Sequence, residues 1–371
     1  MSLRTLFSCL LPLSLSLTLT AQTPGIKVTP DEAHQRVDVT IDGEAFTSYV
    51  WPSTLKKPVL YPLIAPGGIE VTRGYPLAPR EGERTDHPHH AGMWFNYGNV
   101  DNFDFWNNSD AIKPEDRGKM GSIHHTKIVS SKSGKDSGEL VVESLWTNGA
   151  GVDVMTQTTR YVFSRRRPVG SIMARVGNGS IGEARVIDEI VTLHTLKPTI
   201  FHDDKEGMLG IRVAHFLESA NEKGGTFTDA SGRATQVQTS NVPGANGVYL
   251  TSEGKQGDNA WATRGRWCLL TGTNADRDTV TIAILDHPKN VNYPTYWHAR
   301  GYGLFAANPL GQHIFDPGAK QLDYTLEANK DVTFRHRVLL IAGKPSPVDV
   351  NTEADAFSIS YPDQSGKKAK K

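Results

Sequence analysis

The chain has 371 residues, and its 40 Lys and Arg balance 40 Asp and Glu to give a formal net charge of zero. A surface that grips phosphate must be basic, so this balance argues against nucleic acid as a partner. The cysteines are Cys9 and Cys268. Once an N-terminal leader is removed only one thiol remains, no internal disulfide can form, and stability must come from core size.

In chain order, residues 1–21 read as a secretory signal peptide. Arg4 supplies a short positive start, 6–19 is an apolar run broken by Ser, Thr and Pro, and Ala21 suits a cleavage site. The run is too short and too rich in Ser and Thr for a membrane span, and no other stretch approaches the ~20 apolar residues that a membrane helix needs. Cys9 makes a lipoprotein the rival reading, but it lies before the apolar run is complete. The expectation is a soluble protein, secreted or periplasmic. A single domain spans 22–362, and a disordered basic tail occupies 363–371.

Period-two alternation with β-branched and aromatic residues then recurs at 36–43, 68–75, 124–131, 138–146, 154–164, 170–177, 184–196, 278–286 and 331–343. SGKDSG (133–138) and TNADRD (273–278) have the composition of hairpin turns. No amphipathic helix longer than twelve residues is evident; VDNFDFWNNSDAI (100–112) and EADAFSISY (353–361) could each hold one short turn. The loop 114–122 is polar and should be exposed. The Gly/Ser/Thr/Asn-rich stretch 219–261 reads as a long excursion rather than a domain boundary, because strand patterns resume beyond it. Together these patterns predict an all-β fold, a large antiparallel β-sandwich. Cys268, in the strand-like RWCLLTG, reads as a small buried hydrophobe.

Three constellations carry polar chemistry. The first is Asp86-His87-Pro88-His89-His90, followed by Trp94, Phe95, Tyr97, Phe103, Phe105 and Trp106. A core needs aliphatic side chains, not three imidazoles beside a proline. If the segment is extended, His87 and His89 share one face and His90 takes the other. Asp86, His87 and His89 could hold a divalent metal. Alternatively, one imidazole acts as acid or base while its neighbours bind hydroxyls, or the loop is merely hydrogen-bonded. The second is FHDDKEGMLGIRVAH (201–215), where Lys205 beside Glu206 would favour the ionised carboxylate; the bland alternative is a solvated charged turn. The third is LDHPKNVNYPTYWHARGYGLFAANPLG (285–311), which gathers His287, Trp297, His298 and Arg300 at a strand end. Aromatic faces with polar tips suit sugar rings. A weaker signal is Asp188-Glu189 inside an apolar strand, where alternation could turn one carboxylate toward the site. G-x-S-x-G, H-E-x-x-H, P-loop and Rossmann signatures are absent, which argues against serine hydrolase chemistry and nucleotide cofactors.

The segments 57–76, 86–106, 204–215 and 285–311 resemble exported bacterial proteins carrying the label "methane oxygenase PmoA", later treated as a domain of unknown function. The oxygenase label implies a copper enzyme with several membrane helices, which this strand-rich sequence contradicts, so the label reads as a misnomer. The resemblance implies a β-sandwich enzyme or binder associated with polysaccharide breakdown. The segment LEANKDVTFRHRVLL is similar to the last strands of mutarotase-like supersandwich proteins, a likeness of fold only.

The reading is therefore an exported enzyme acting on a small-molecule or glycan substrate by epimerisation, elimination or hydrolysis. His90, His298 and Glu206 are the expected acid–base groups. His87, His89, Lys205 and His287 would bind substrate, Arg212 and Arg300 would hold hydroxyls or a carboxylate, and Trp94 and Trp297 would stack on the ring. This chemistry requires no cofactor. A metal enzyme using the Asp86 cluster and a non-catalytic glycan binder are the alternatives.

Overall fold

Alternation is plainest in Ser137–Thr147, where every second side chain is buried, and in Arg36–Ile41. Such strands have one face in the core and one toward solvent. A different pattern marks Met93–Tyr97, Gly207–Arg212 and Leu304–Asn308, whose residues are buried throughout. These strands have cover on both faces, and that second cover is where the polar loops lie.

The structure is a computed structural model that describes residues 24–166, 182–220, 223–239 and 244–361. Two eight-stranded antiparallel sheets form its body. The first runs Ile26–Asp31, Arg36–Ile41, Glu44–Val50, Val59–Leu60, Met93–Tyr97, Gly207–Arg212, Leu304–Asn308, Tyr296–Arg300. The second runs Val248–Thr251, Trp267–Thr273, Thr279–Asp286, Asp331–Ala342, Ala184–Thr195, Asp153–Arg166, Ser137–Thr147, Ser122–Lys132. Between them lies the main core, built from both inner faces by residues such as Phe46, Met93, Leu209, Ile211, Phe305, Phe163, Ile284 and Leu340. Each such side chain, fully buried, contributes ~1.5–3 kcal/mol. Cys268 is part of this core, and burial pushes its thiol up. The antiparallel sandwich expected from the alternation is the fold observed.

Three differences from expectation have physical causes. The segment 353–361 is the end of a longer helix, Pro347–Ser358. Ser346 and Asp349 form a reciprocal capping box and Pro347 opens the first turn, so the start signal lies upstream of 353–361. Val350, Ala354 and Phe357 of this helix cover the outer face of the second sheet. In 219–261, a hairpin of Lys223–Thr228 and Ala234–Thr239 is followed by Val248–Thr251, which adds an edge to the second sheet. No helix forms between 100 and 112; Asp104 instead caps the bends, accepting from the backbone N–H groups of Trp106 and Asn107. The leader at 1–21, the strand expected at 170–177 and the tail at 363–371 lie outside the described residues. No helix among the described residues is long and apolar enough to cross a membrane.

Candidate functional site: an aromatic–imidazole stack beside an arginine-lined cleft

Register places a row of residues on the first sheet's outer face. Trp94 pairs with Gly210, Gly210 with Ala306, and Ala306 with His298. One step along, Arg212 pairs with Leu304 and Leu304 with Arg300. Directly paired residues share a face, so Trp94, Arg212, His298 and Arg300 all point away from the second sheet. Gly210 is needed here: a Cβ would come within 2.6 Å of the Trp94 indole.

The Asp86–His90 loop lies over this face, and it is a turn rather than an extended segment. The His90 N–H donates to the His87 carbonyl at 2.9 Å, and His87 takes a φ of 45°. Pro88 sits second in the turn, where its fixed φ is already correct. His87 and His90 therefore stack instead of facing opposite ways. A column of four rings results, Tyr302 on His87 (5.1 Å), His87 on His90 (4.9 Å) and His90 on Trp94 (5.2 Å). His89 meets His87 and His90 edge-on.

Two buried guanidiniums hold the loop. Arg73 donates to the Asp86 carboxylate at 2.7 Å and to the backbone carbonyls of Asp86, His87 and His90. Arg212 donates to the same Asp86 oxygen at 2.6 Å and lies over the Tyr302 ring. Burial opposes ionisation of Asp86, but its bond to His87 and the charges of Arg212 and Arg73 prevail and hold it well below the usual carboxylate range. Asp86 is thus committed to two arginines. Among the described residues, no group of three or more His, Cys, Asp or Glu is arranged to hold a metal ion.

His90 is 1% exposed. Its Nε2 lies 3.1 Å from the Trp106 indole N–H and its Nδ1 3.4 Å from an Arg212 N–H; both neighbours are donors, and the neutral ring accepts from one of them only. Burial drives its pKa far down, and both nitrogens are enclosed. The expected acid–base role for His90 is at odds with this position; it is the inner member of the stack. Trp94 is equally unsuited to stack on a sugar, with His90 on its ring and the Lys57 ammonium 5.2 Å from its centroid. Lys57 also donates to the His89 carbonyl, and burial pulls its pKa down to about 7.

His298 stands apart. Its Nδ1–H donates to the Lys205 carbonyl at 3.0 Å, which leaves Nε2 as the bare lone pair. Burial first, then the charges of Arg300 and Lys205, pull its pKa to about 3, so the ring is neutral over the ordinary working range. A carboxylate oxygen of Glu206 lies 3.8 Å from His298 Nδ1, and Lys205 pairs with Glu206 on the solvent side. The hydroxyl of Tyr302 feels the charges of Arg212, Glu206, Arg300 and Asp86, although burial is the main reason its pKa rises to about 12.

Beside this group opens a cleft of about 510 Å³, lined by Arg84, Ser219, Asp258, Trp261, Arg300 and Tyr302 among others. Arg84 is bound to Glu218 at its back. The Arg300 guanidinium sits 5.4 Å from the Trp261 ring centroid and 5.8 Å from that of Tyr302. Trp261 is 36% exposed, and Phe315 links it edge-on to His298.

The structure thus brings together Asp86, His87, Lys205, Glu206, Arg212, His298 and Arg300 from all three constellations. His287 and Trp297 are elsewhere. His287 donates to the Ser360 carbonyl and packs on Phe357 of the C-terminal helix. Trp297 is one residue out of phase with His298 and is buried between the sheets. The Asp188-Glu189 pair also misses the site: Asp188 is gripped by Arg337 behind the second sheet, and Glu189 is buried in the row of Tyr161 and His336. Tyr302 belongs to the third constellation but carries no sequence signal for its place in the stack, and neither Arg73 nor Trp261 is marked by any motif. Arg73 follows a strand pattern whose buried partner could not be known, and Trp261 lies in a stretch that reads as loop.

A family profile for proteins of unknown function, DUF6807, matches residues 36–355. The chain belongs to that family. No curated protein matches it. Solved structures similar over 86% of the DUF6807 chain include a galactose 1-epimerase from Lactobacillus acidophilus NCFM, at 11% identity and TM-score 0.35 over 98% of that chain. A putative aldose 1-epimerase from Escherichia coli K12 is similar at 9% identity and TM-score 0.23 over 99% of its length. A β-arabinopyranosidase matches at 10% identity and TM-score 0.27, and this chain spans only 40% of it. At these scores any activity must be argued from the residues themselves.

Proposed function

We propose that this DUF6807 protein is an exported enzyme that moves a proton on a carbohydrate bound in the Trp261–Arg300–Tyr302 cleft. The observation that carries the reading is His298. A histidine whose Nδ1–H is fixed to a backbone carbonyl and whose ring is neutral presents Nε2 as a directed proton acceptor. Glu206, 3.8 Å from the Nδ1 side of the ring, and the Tyr302 hydroxyl, which feels the charges of Glu206 and Arg300, are the groups we assign to complete the acid–base transfer. The exposed Trp261 face suits the apolar side of a sugar ring, and Asp258 and Arg300 suit its hydroxyl rim. Asp86, His87, Arg73 and Arg212 act as the frame that fixes Tyr302 and the cleft floor.

The test is turnover of a panel of mono- and oligosaccharides, followed by proton NMR, for wild type, His298→Gln and Glu206→Gln. Loss of one directed acid–base group should lower the rate ~10²–10⁴-fold while the thermal melt stays near wild type. Saturable binding of a sugar that is never changed would leave a glycan-binding protein. Full activity in both folded variants would remove the proposed chemistry.

A further inference from the structure

Among the described residues, one cation lining the cleft has no carboxylate partner. Arg212 is taken by Asp86 and Arg84 by Glu218. Lys205 pairs with Glu206, and Arg73 is enclosed within the Asp86 loop. Arg300 forms no ion pair with any described residue; its neighbours are the rings of Trp261 and Tyr302. Rings against a guanidinium shield its faces and leave its N–H edges directed outward, the geometry that grips a carboxylate with two parallel bonds. Asp258 is the carboxylate lining the cleft; it makes no ion pair with Arg300 and is placed to accept from hydroxyls.

His298 and Arg300 are also two residues apart on one strand, so their side chains leave the same face roughly 6.5 Å apart. A pyranose ring with a carboxylate substituent spans that separation. From these relations we infer that the carbohydrate is acidic, a uronic acid or a uronate unit of a glycan, with its carboxylate on Arg300 and its ring against Trp261. This rests on the sugar reading above. An anion on Arg300 would also cancel one of the charges that hold His298 down, raising its basicity when substrate is present.

The experiment is titration calorimetry of the full protein with glucuronate and galacturonate against glucose and galactose, repeated on Arg300→Gln and Arg300→Lys. A charge-assisted pair at this position should favour the uronates about tenfold to a hundredfold. Arg300→Gln should abolish that preference, and Arg300→Lys should keep part of it. Equal affinity of wild type for acidic and neutral sugars, or a preference untouched in folded Arg300→Gln, overturns the acidic substrate while leaving the sugar site standing. If no sugar binds wild type, both fall. Should Arg300→Gln fail to fold, the wild-type preference and the lysine variant decide. The His298 ring resonances add an independent check: they should shift upward in pKa with glucuronate and not with glucose.

Discussion

At the scale of single residues, His90 and His298 are equally buried and differ in their partners: donors face both nitrogens of His90, whereas only Nδ1 of His298 is bonded among the described residues. Asp86 is the keystone of the loop that carries His90, because two buried guanidiniums lose their nearest counter-charge when it goes, leaving Glu218 at 3.9 Å from Arg212. Asp86→Ala should therefore destabilise the protein by ~3–5 kcal/mol, read as a fall in the denaturation midpoint with an unchanged slope. Its folded pKa is depressed, so its contribution is present above the unfolded value of ~3.9 and is lost as pH falls through the folded one. His298 has the opposite charge type and the same direction of shift. The unfolded ring gains its proton near pH 6.5 and the folded ring only near 3, so stability declines as pH falls between those values. His298→Gln should flatten that part of the stability curve; an unchanged curve would mean that the ring is not held neutral. Asp86, Glu206, His298 and Arg300 are legible in the three polar clusters; Arg73 and Trp261 are not, nor is which imidazole keeps an open nitrogen. His90 and His298 look alike in sequence, and only the Trp106 indole and the Lys205 carbonyl distinguish them.

At the scale of elements, face assignment decided what could be foreseen. Alternating strands such as Ser137–Thr147 announce themselves, whereas Met93–Tyr97 and Gly207–Arg212 are buried on both sides and show no alternation. Phase was the hidden variable. Trp297 and His298 were both natural candidates, yet neighbours on a strand cannot share a face. The reach of Pro88 was also visible but misjudged: it makes 87–90 a turn, and the turn builds the stack. Gly210 lies beneath that stack. Gly210→Ala should push the Trp94 indole aside and cost ~1–3 kcal/mol, with altered near-ultraviolet circular dichroism as the stack shifts. Retention of the wild-type aromatic signal would show that the indole does not lie against Gly210.

For the whole molecule, the two faces of the first sheet do different work. The inner face makes the sandwich and the outer face carries the cleft, so site variants on the outer face should spare the main core. That core holds its own titratable row. Asp286, His336, Glu189 and Tyr161 are paired across the second sheet, and neither Glu189 nor His336 completes a side-chain hydrogen bond among the described residues. Burial pushes the Glu189 carboxyl up to about 8. The folded state then holds a proton that the unfolded state releases above ~4.3, so this group lowers stability as pH rises from there to about 8. Burial places Asp286 at about 7 and His336 at about 3, so both are uncharged in part or all of that window. Glu189→Gln should gain stability at pH 8 relative to pH 5, measured by denaturant melts at both; an equal or smaller gain at pH 8 would contradict a protonated Glu189.

The acid–base chemistry proposed beside the cleft depends on a neutral His298 with an open Nε2. Nitrogen-15 NMR of the imidazole reads it directly in the full protein at neutral pH. The prediction is a proton on Nδ1, a bare Nε2, and a change at Nε2 when a bound sugar is added. A charged imidazolium, the opposite tautomer, or an Nε2 resonance indifferent to every bound carbohydrate would contradict it.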